Sequence, residues 1–228
     1  MADEANIVPN VERAHRTTAQ YVADFLRNRM LSGDIKSGQR LKQNHIASLL
    51  GVSSTPVREA FRDLAAEGLV QLDARHGCMA KGLIYQDAED IYAARSLLEP
   101  MLLKRNFAHI TDSILKQCDI INEQMAATSD LDAWTKLNNK FHMKLLGSDF
   151  PSRLLDMVQQ LYDYSNSFVA LSLYGDKLNV ERSYDEHQEI LMRFTERDVD
   201  GVLNLLRRHQ KMTLSLIRFK MSPLSSSD

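Results

Sequence analysis

The stretch of residues 41–70, LKQNHIASLLGVSSTPVREAFRDLAAEGLV, constrains the fold of this chain more than any other part of its sequence. Ile46, Leu49 and Leu50 place apolar side chains at helical spacing. Gly51 interrupts that pattern, because glycine readily takes the positive φ that a tight turn requires. A second amphipathic run follows. The stretch therefore predicts a helix, a turn and a second helix.

The second predicted helix begins with small hydroxyl side chains. Ser53, Ser54 and Thr55 can cap exposed backbone N–H groups, and Pro56 is tolerated in a first turn, where no intrahelical donor is lost. Apolar residues then recur at helical spacing at Val57, Phe61, Leu64 and Ala65. The helix therefore buries one face, while its N-terminus presents hydroxyl groups and the guanidinium of Arg58. These residue types hold phosphates and read guanine edges when a helix enters the DNA major groove.

Residues 19–82 resemble the winged-helix DNA-binding domain of the GntR family of bacterial transcription regulators. The segments that carry the resemblance are Gly38 to Leu41, Gly51-Val52-Ser53, Thr55 to Ala60, and Glu67 to Val70. The resemblance implies these DNA-binding residues: Asn44, Ser53, Ser54, Thr55, Arg58, His76 and Gly77. The family usually has arginine where this chain has Ser54, which removes one base or phosphate contact. By itself, a helix-turn-helix pattern is often just two helices that pack together.

A wing is predicted after the second helix. Two short strands, at residues 69–72 and 78–81, are joined by residues 73–77. In the GntR family the wing tip reaches a flanking groove of the DNA, and His76 and Gly77 fall at this tip. A glycine there lets the backbone approach a phosphate closely. On the sequence alone, His76 is equally consistent with a solvated turn residue.

The composition is that of an ordinary globular protein. Hydrophobic residues make up 44% and charged residues 25%, and no stretch approaches the roughly 20 apolar residues of a membrane span. The net charge is −2, with 11 Lys and Arg against 9 Asp and Glu in residues 1–82, and 17 against 21 in the remainder. Any basic surface is therefore local. Cys78 and Cys118 lack metal-ligand spacing, so we expect reduced structural thiols in a cytoplasmic protein.

The remaining sequence predicts a mainly α chain with two domains. Residues 1–16 form a polar tail, residues 17–82 the winged helix-turn-helix domain with a first helix over about 17–31, and residues 83–86 a linker. Residues 87–221 form an all-α antiparallel bundle, and residues 222–228 a second tail. The predicted helices of the bundle lie at about 87–107, 111–128, 130–147, 152–174, 179–197 and 198–221.

Three histidines of the bundle lie on different predicted helices: His142, His187 and His209. Asn138 lies four residues before His142, on the same helix face. Spacing alone does not establish that the histidines converge, and a single histidine on an amphipathic helix is more often a surface or hydrogen-bonded residue.

Residues 86–221 resemble the FCD type of effector domain, in its VanR-like six-helix form. The carrying residues are Arg95 to Pro100, Asn138, Phe141-His142, Leu145, Glu186-His187, Ile190-Leu191 and His209. Many members of that family bind a divalent metal through an aspartate and three histidines. The resemblance implies His142, His187 and His209 as ligands, with Asn138 in place of the aspartate. Because an amide brings no negative charge, we expect Zn²⁺ or Ni²⁺ rather than Mn²⁺.

Arg95 is the predicted anion-binding residue of this domain. It lies in an otherwise apolar segment, and in the family the matching arginine commonly holds a carboxylate effector in a bidentate geometry. The alternative is an ion pair with Glu99 on the helix surface. Tyr162 and Asn166, also one turn apart, are predicted either to line the same effector cavity or to be packing residues.

These features predict a ligand-responsive transcription regulator, not an enzyme. A homodimer would read a pseudo-palindromic operator in double-stranded DNA, and a small carboxylate would change its affinity, most simply as a repressor. One alternative is a metal-dependent hydrolase that activates water at the three histidines. Another is a regulator whose second domain only dimerises. Whether Arg95 and the histidines face one cavity discriminates between these readings.

Overall fold

The computed structural model describes residues 17–31, 34–73 and 77–222, which contain nine α-helices, a short 3-10 helix and one three-stranded sheet. The elements in chain order are α1 (Thr18–Leu31), β1 (Arg40–Leu41), α2 (Gln43–Leu50), α3 (Ser54–Ala66), β2 (Val70–Asp73), β3 (Gly77–Ala80), α4 (Tyr85–Asn106), the 3-10 helix (Phe107–His109), α5 (Asp112–Ala127), α6 (Leu131–Leu145), α7 (Arg153–Leu173), α8 (Lys177–Thr195) and α9 (Val199–Met221). A mainly α fold, with a winged helix-turn-helix before a helical domain, is confirmed. Within the described ranges, every helix is too short or too polar to cross a membrane.

The turn between α2 and α3 is built on Gly51. Its φ is 64°, in the left-handed region, and its backbone N–H is directed at the carbonyls of Ala47 and Ser48 at the end of α2. Ser53 then occupies the N-cap position of α3 in an extended conformation, but its side chain makes no capping hydrogen bond. The expected capping by the hydroxyl is therefore not realised, and Ser53, Ser54 and Thr55 are all exposed.

The sheet is antiparallel with the strand order β1-β3-β2. β1 pairs Arg40 with Met79 on β3, an additional strand that the sequence did not reveal. The two wing strands begin and end within one residue of their predicted positions. β2 begins at Val70 and not at Leu69, because the backbone N–H of Leu69 still donates to the carbonyl of Leu64 near the end of α3. The wing tip at residues 74–76, including His76, lies outside the described residues.

Each domain has its own apolar core. In the first domain α1 packs on α3, around the buried side chains of Val22, Leu26, Val57, Phe61, Leu64 and Leu69. In the second domain the helices pack as α5 on α6 and α8, and as α4 on α7 and α9. Its core includes Leu102, Leu103, Phe141, Tyr162, Phe194 and Val202.

The helix bounds of the second domain differ slightly from prediction. α4 begins at Tyr85, inside the expected linker, after an extended Ile84. α8 begins at Lys177 because Asp176 caps it, with its Oδ1 accepting a hydrogen bond from the backbone N–H of Asn179 at 3.3 Å.

Cys78 and Cys118 are buried free thiols, and burial raises the pKa of Cys78 to about 11 and that of Cys118 to about 12.

Gly51→Ala should destabilise the protein without any steric clash. A Cβ on Gly51 would have no heavy atom within 4 Å, so the cost is the backbone strain of an alanine at positive φ, about 1 to 2 kcal/mol. We expect the melting temperature measured by circular dichroism to fall by about 2 to 4 °C per kcal/mol. Gly51→Asn is the matched control, because asparagine tolerates this conformation better. Equal melting temperatures for the two variants would contradict the assignment.

Candidate functional site

The three histidines of the helical domain converge at one point. α6 contributes His142, α8 contributes His187 and α9 contributes His209. The ring centroid of His142 lies 5.0 Å from that of His187 and 5.2 Å from that of His209, and the centroids of His187 and His209 are 5.0 Å apart. One nitrogen from each ring lies within 4.8 Å of the others, and all three residues are buried. This arrangement can hold a metal ion.

Several buried polar atoms of this cluster have no hydrogen-bond partner among the described residues. They are both ring nitrogens of His142, Nε2 of His187 and Oδ1 of Asn138. Each buried polar atom without a partner costs about 1 to 3 kcal/mol. A divalent cation would satisfy one nitrogen of each ring and Oδ1 of Asn138 through their lone pairs, and three imidazoles are a donor set that zinc accepts. The residues present therefore fit a metal ion, and Asn138 lies one turn before His142 on α6.

Two further side chains orient the histidine rings. Asn122 on α5 donates through Nδ2 to the carbonyl of Tyr184, so its Oδ1 accepts from Nδ1 of His187 at 3.0 Å. Oε2 of Glu186 lies 2.5 Å from Nδ1 of His209 and accepts a hydrogen bond from it. In both rings Nε2 then carries the lone pair that a metal needs. The sequence did not identify Asn122, because it lies on another helix and far from His187 in the chain.

The electrostatics keep two of these rings neutral. Burial, followed by the neighbouring His187, His209 and Arg95, holds the pKa of His142 well below its usual range. Burial and then His209 hold the pKa of His187 well below its usual range as well. Neutral imidazole is the form that binds metal ions. At neutral pH both rings are therefore already in the ligand form.

Arg95 is buried beside the histidine cluster and is already paired. Its Nε donates to Oε1 of Glu99 at 2.7 Å, and its Nη1 donates to Oγ of Ser165 at 3.2 Å. Its guanidinium lies over the ring of Tyr162, 3.9 Å from the centroid. The sequence offered a pair between Arg95 and Glu99 as the alternative to anion binding. The pair exists, but it lies in the protein interior, since Arg95 is 3% and Glu99 1% exposed.

Arg95 and the metal-type residues line one cavity. Its walls include Arg95, Asn138, His142, His209 and the half-buried Arg182. The free volume is about 20 Å³, which holds on the order of one water molecule. A carboxylate can therefore enter only if side chains or helices of the wall move.

The two other predicted effector residues differ in position. Tyr162 is fully buried and contacts both Arg95 and His142, with its ring centroid 5.7 Å from that of His142. Asn166 is half-buried on α7 and is not among the residues that line the cavity. Ser165, one position earlier, contacts Arg95 instead. The i, i+4 spacing alone did not identify which side of α7 faces Arg95.

A second candidate surface lies in the first domain, between α3 and the wing. A groove of about 570 Å³ is lined by four cationic side chains, Arg40, Lys42, Arg58 and Arg62, and by Gly77 at the start of β3. Exposed Ser53, Ser54 and Thr55 lie at the N-terminus of α3, and Asn44 is exposed on α2. Cationic side chains beside a helix N-terminus suit a phosphate backbone. Arg40, Lys42 and Arg62 are additions to the predicted set.

Two protein families match this chain. Residues 90–211 match the FCD domain, and residues 18–79 match the family described as bacterial regulatory proteins, gntR family. The chain is 30% identical over 178 residues to the gluconate operon transcriptional repressor of Bacillus subtilis (strain 168), covering 77% of this chain and 72% of that protein. It is 28% identical over 220 residues to the gluconate operon transcriptional repressor of Bacillus licheniformis, covering 92% and 89%.

Solved structures agree with the fold. E. coli McbR/YncC superposes with a TM-score of 0.64, covering 91% of this chain and 100% of that chain at 20% identity, which is evidence for the fold alone. A transcriptional regulator (GntR family member) from Pseudomonas syringae pv. tomato str. DC3000 has 28% identity and a TM-score of 0.54, covering 91% and 88%.

The neutral histidines predict how stability depends on pH in the metal-free protein. His142 and His187 have a lowered pKa when folded, whereas unfolded histidines take up protons near about pH 6.5. The unfolded state therefore binds more protons, and the free energy of unfolding should fall as pH drops below about 6.5, by up to about 1.4 kcal/mol per pH unit for each ring.

Chemical denaturation with chelator, between about pH 7.5 and about pH 5.5, measures this slope. His142→Gln removes one titrating ring and should make the slope shallower. The same substitution at exposed His45 is the matched control. Parallel curves for the wild type and His142→Gln would contradict the prediction.

Proposed function

Because the chain belongs to the gntR family of bacterial regulatory proteins and carries an FCD domain, we propose that it is a repressor whose operator affinity is set by a metal ion and a small carboxylate in its helical domain. The chain is a DNA-binding transcription regulator. Its matched families and relatives are transcription regulators and not enzymes, so the hydrolase reading is set aside.

The proposed DNA contacts come from the groove between α3 and the wing. Arg58 projects from the first turns of α3 and lines the groove with Arg40, Lys42 and Arg62. We assign base reading to Arg58 and phosphate binding to the hydroxyls of Ser53, Ser54 and Thr55, with Asn44 and Gly77 at the margins. All three residues are exposed, and Ser53 at the N-cap position makes no capping hydrogen bond with its side chain. Both observations support this division.

The operator is proposed to be a pseudo-palindrome read by a homodimer. α4 and α7 pack against each other, and each keeps large apolar side chains exposed. Leu97 is 69% and Met101 58% exposed on α4, and Met157 is 58% and Tyr164 46% exposed on α7. Exposed apolar side chains on two helices that pack together support an association surface here. A two-fold pair formed there would present two copies of α3 to two half-sites.

The buried donor atoms without a partner carry the metal proposal. His142, His187 and His209 would hold the ion through ring nitrogens, and Asn138 through Oδ1. A bound divalent cation supplies a fixed positive charge and an open position that an anionic ligand can occupy. Because Asn138 is neutral, the set favours Zn²⁺ or Ni²⁺, which accept imidazole readily, over Mn²⁺, which prefers carboxylate. Asn122 and Glu186 keep the rings in the tautomer that binds.

The proposed effector is a small carboxylate, most simply a hydroxy acid. Arg95 donates through Nε to Glu99 and through one Nη1 hydrogen to Ser165. A guanidinium has five N–H donors, so others remain for an anion in the shared cavity. Two relatives are repressors of a gluconate operon, and gluconate is a hydroxy acid, so it is a suitable first probe. Tyr162 would position Arg95. Asn166, remote from the cavity lining, is dropped from the proposed effector site.

A second candidate follows from the internal pairing of Arg95. Because Glu99 already neutralises Arg95 and the cavity holds about one water molecule, the ion can also serve as a purely structural centre in a dimerising domain. The two candidates differ in one observation. Only the first predicts that a carboxylate stabilises the metal-loaded protein and that Arg95→Ala abolishes the effect.

Trp134 provides a direct signal for metal binding. It is the single tryptophan of the chain, lines the histidine cavity, and its ring centroid lies 6.5 Å from that of His187. Titration of chelator-treated protein with Zn²⁺ should change its fluorescence and saturate at one ion per chain. Asn138→Asp adds a negative ligand and should tighten binding by about tenfold. Asn204→Asp, exposed on α9, is the control, and an unchanged affinity of Asn138→Asp would remove residue 138 from the site.

Arg58→Ala should weaken DNA binding in a sequence-dependent way. On an operator selected from a random pool we expect a loss of about 1 to 3 kcal/mol, measured by fluorescence anisotropy, with little loss on unrelated DNA. Arg153→Ala is the control, because its side chain is 99% exposed at the start of α7. An equal loss on every DNA sequence would show that Arg58 contacts phosphate and does not read a base.

A further inference from the structure

A buried arginine joins the two domains. Arg27 lies on α1 with a side chain that is only 9% exposed. Its Nη1 lies 2.6 Å from Oδ1 of Asp24 on the same helix and 3.0 Å from Oδ1 of Asp132 in the helical domain. Its Nε and Nη2 form paired bonds to Glu67, at 2.9 and 2.6 Å. One guanidinium therefore contacts three carboxylates on three different parts of the chain.

Glu67 ties this arginine to the helix that presents Arg58. Glu67 is the C-cap residue of α3, and its backbone N–H is directed at carbonyls in the last turn of that helix. A bidentate pair between a guanidinium and a carboxylate fixes orientation as well as distance, because the two groups lie in a common fork geometry. The C-terminal end of α3 therefore follows the position of Arg27.

Asp132 ties the same arginine to the histidine cavity. It lies in the first turn of α6, and its other oxygen accepts from Nζ of Lys136 at 2.6 Å. Asn138 and His142, which line the cavity, lie further along the same helix. Since a helix moves largely as a rigid rod, a displacement of α6 at the cavity also displaces Asp132.

The wall between the cavity and the domain junction is thin. A groove of about 740 Å³ separates α1 from the helical domain, and Asn28 and Leu131, the neighbours of Arg27 and Asp132 in the chain, both line it. Trp134 and Leu173 line this groove and the histidine cavity alike. A cavity that must expand to admit a ligand therefore pushes on side chains that face the junction.

We propose that Arg27 is the joint through which the occupancy of the histidine cavity reaches α3, an inference that rests on the proposed metal and effector function. The physical reason is that a buried charge is costly without its partners, so α1 and the end of α3 move with α6 instead of separating from it. Asp24 and Glu67 hold the arginine within the first domain. Asp132 is the carboxylate of the second domain that contacts this arginine.

The first test needs no metal and uses hydrogen–deuterium exchange of the full chain. Asp132→Ala removes the contact of Arg27 across the two domains, together with the pair between Asp132 and the exposed Lys136 on α6, and amides at residues 61–69 should exchange about fivefold faster than in the wild type. Asp132→Asn keeps the acceptor oxygen and should have an intermediate effect. The control is Asp149→Ala, which removes the pair with Lys144 at the other end of α6. Unchanged exchange at residues 61–69 in Asp132→Ala would show that Arg27 does not couple the two domains.

The second test adds Zn²⁺ alone to the same proteins. In the wild type we expect slower exchange both in α6 and at residues 61–69, whereas Asp132→Ala should keep the response of α6 and lose that of residues 61–69. A response at residues 61–69 that survives in Asp132→Ala overturns the proposal. If Zn²⁺ changes exchange nowhere in the wild type, the proposed metal function fails, and the metal-free comparison still decides whether Arg27 is a joint.

Discussion

The burial of three imidazole rings side by side is the constraint on which the helical domain depends. His142 and His187 must remain neutral, and each buried nitrogen needs a partner. α6, α8 and α9 bring the rings together, while α5 contributes Asn122 and α8 contributes Glu186 to orient them. The remaining nitrogen lone pairs point to no protein donor among the described residues, and a cation is the partner that suits them.

Two buried arginines elsewhere in the chain also have specific polar partners. Arg95 is matched by Glu99, which in turn accepts from Gln210 on α9 at 2.7 Å, and Arg27 is matched by carboxylates from both domains. Such pairs contribute little net stability but resist the loss of one partner. They make the helices around the cavity and the junction move as connected units, which is what a regulator requires when a small ligand must affect a distant DNA-binding surface.

Much of this architecture follows from local sequence, and the rest does not. The helix-turn-helix is predictable because Gly51 and the apolar spacing act within a few residues, and Asn138 with His142 is predictable from one helical turn. β1 exists only through its pairing with β3, so two residues gave no signal. The contacts of Asn122 and Ser165, and those of Arg27 with Glu67 and Asp132, depend on how whole helices are rotated against each other, and no spacing rule contains that information.

We propose that the three histidines hold a metal ion. Crystal structures of the protein purified without added metal, and of the same protein saturated with Zn²⁺ or Ni²⁺, test this with anomalous diffraction data collected on both sides of the zinc and nickel absorption edges. We expect one strong anomalous peak among ring nitrogens of His142, His187 and His209, with Oδ1 of Asn138 as a further ligand. A protein that carries no metal after saturation with Zn²⁺ or Ni²⁺, or an ion bound elsewhere while these rings stay unligated, would contradict it.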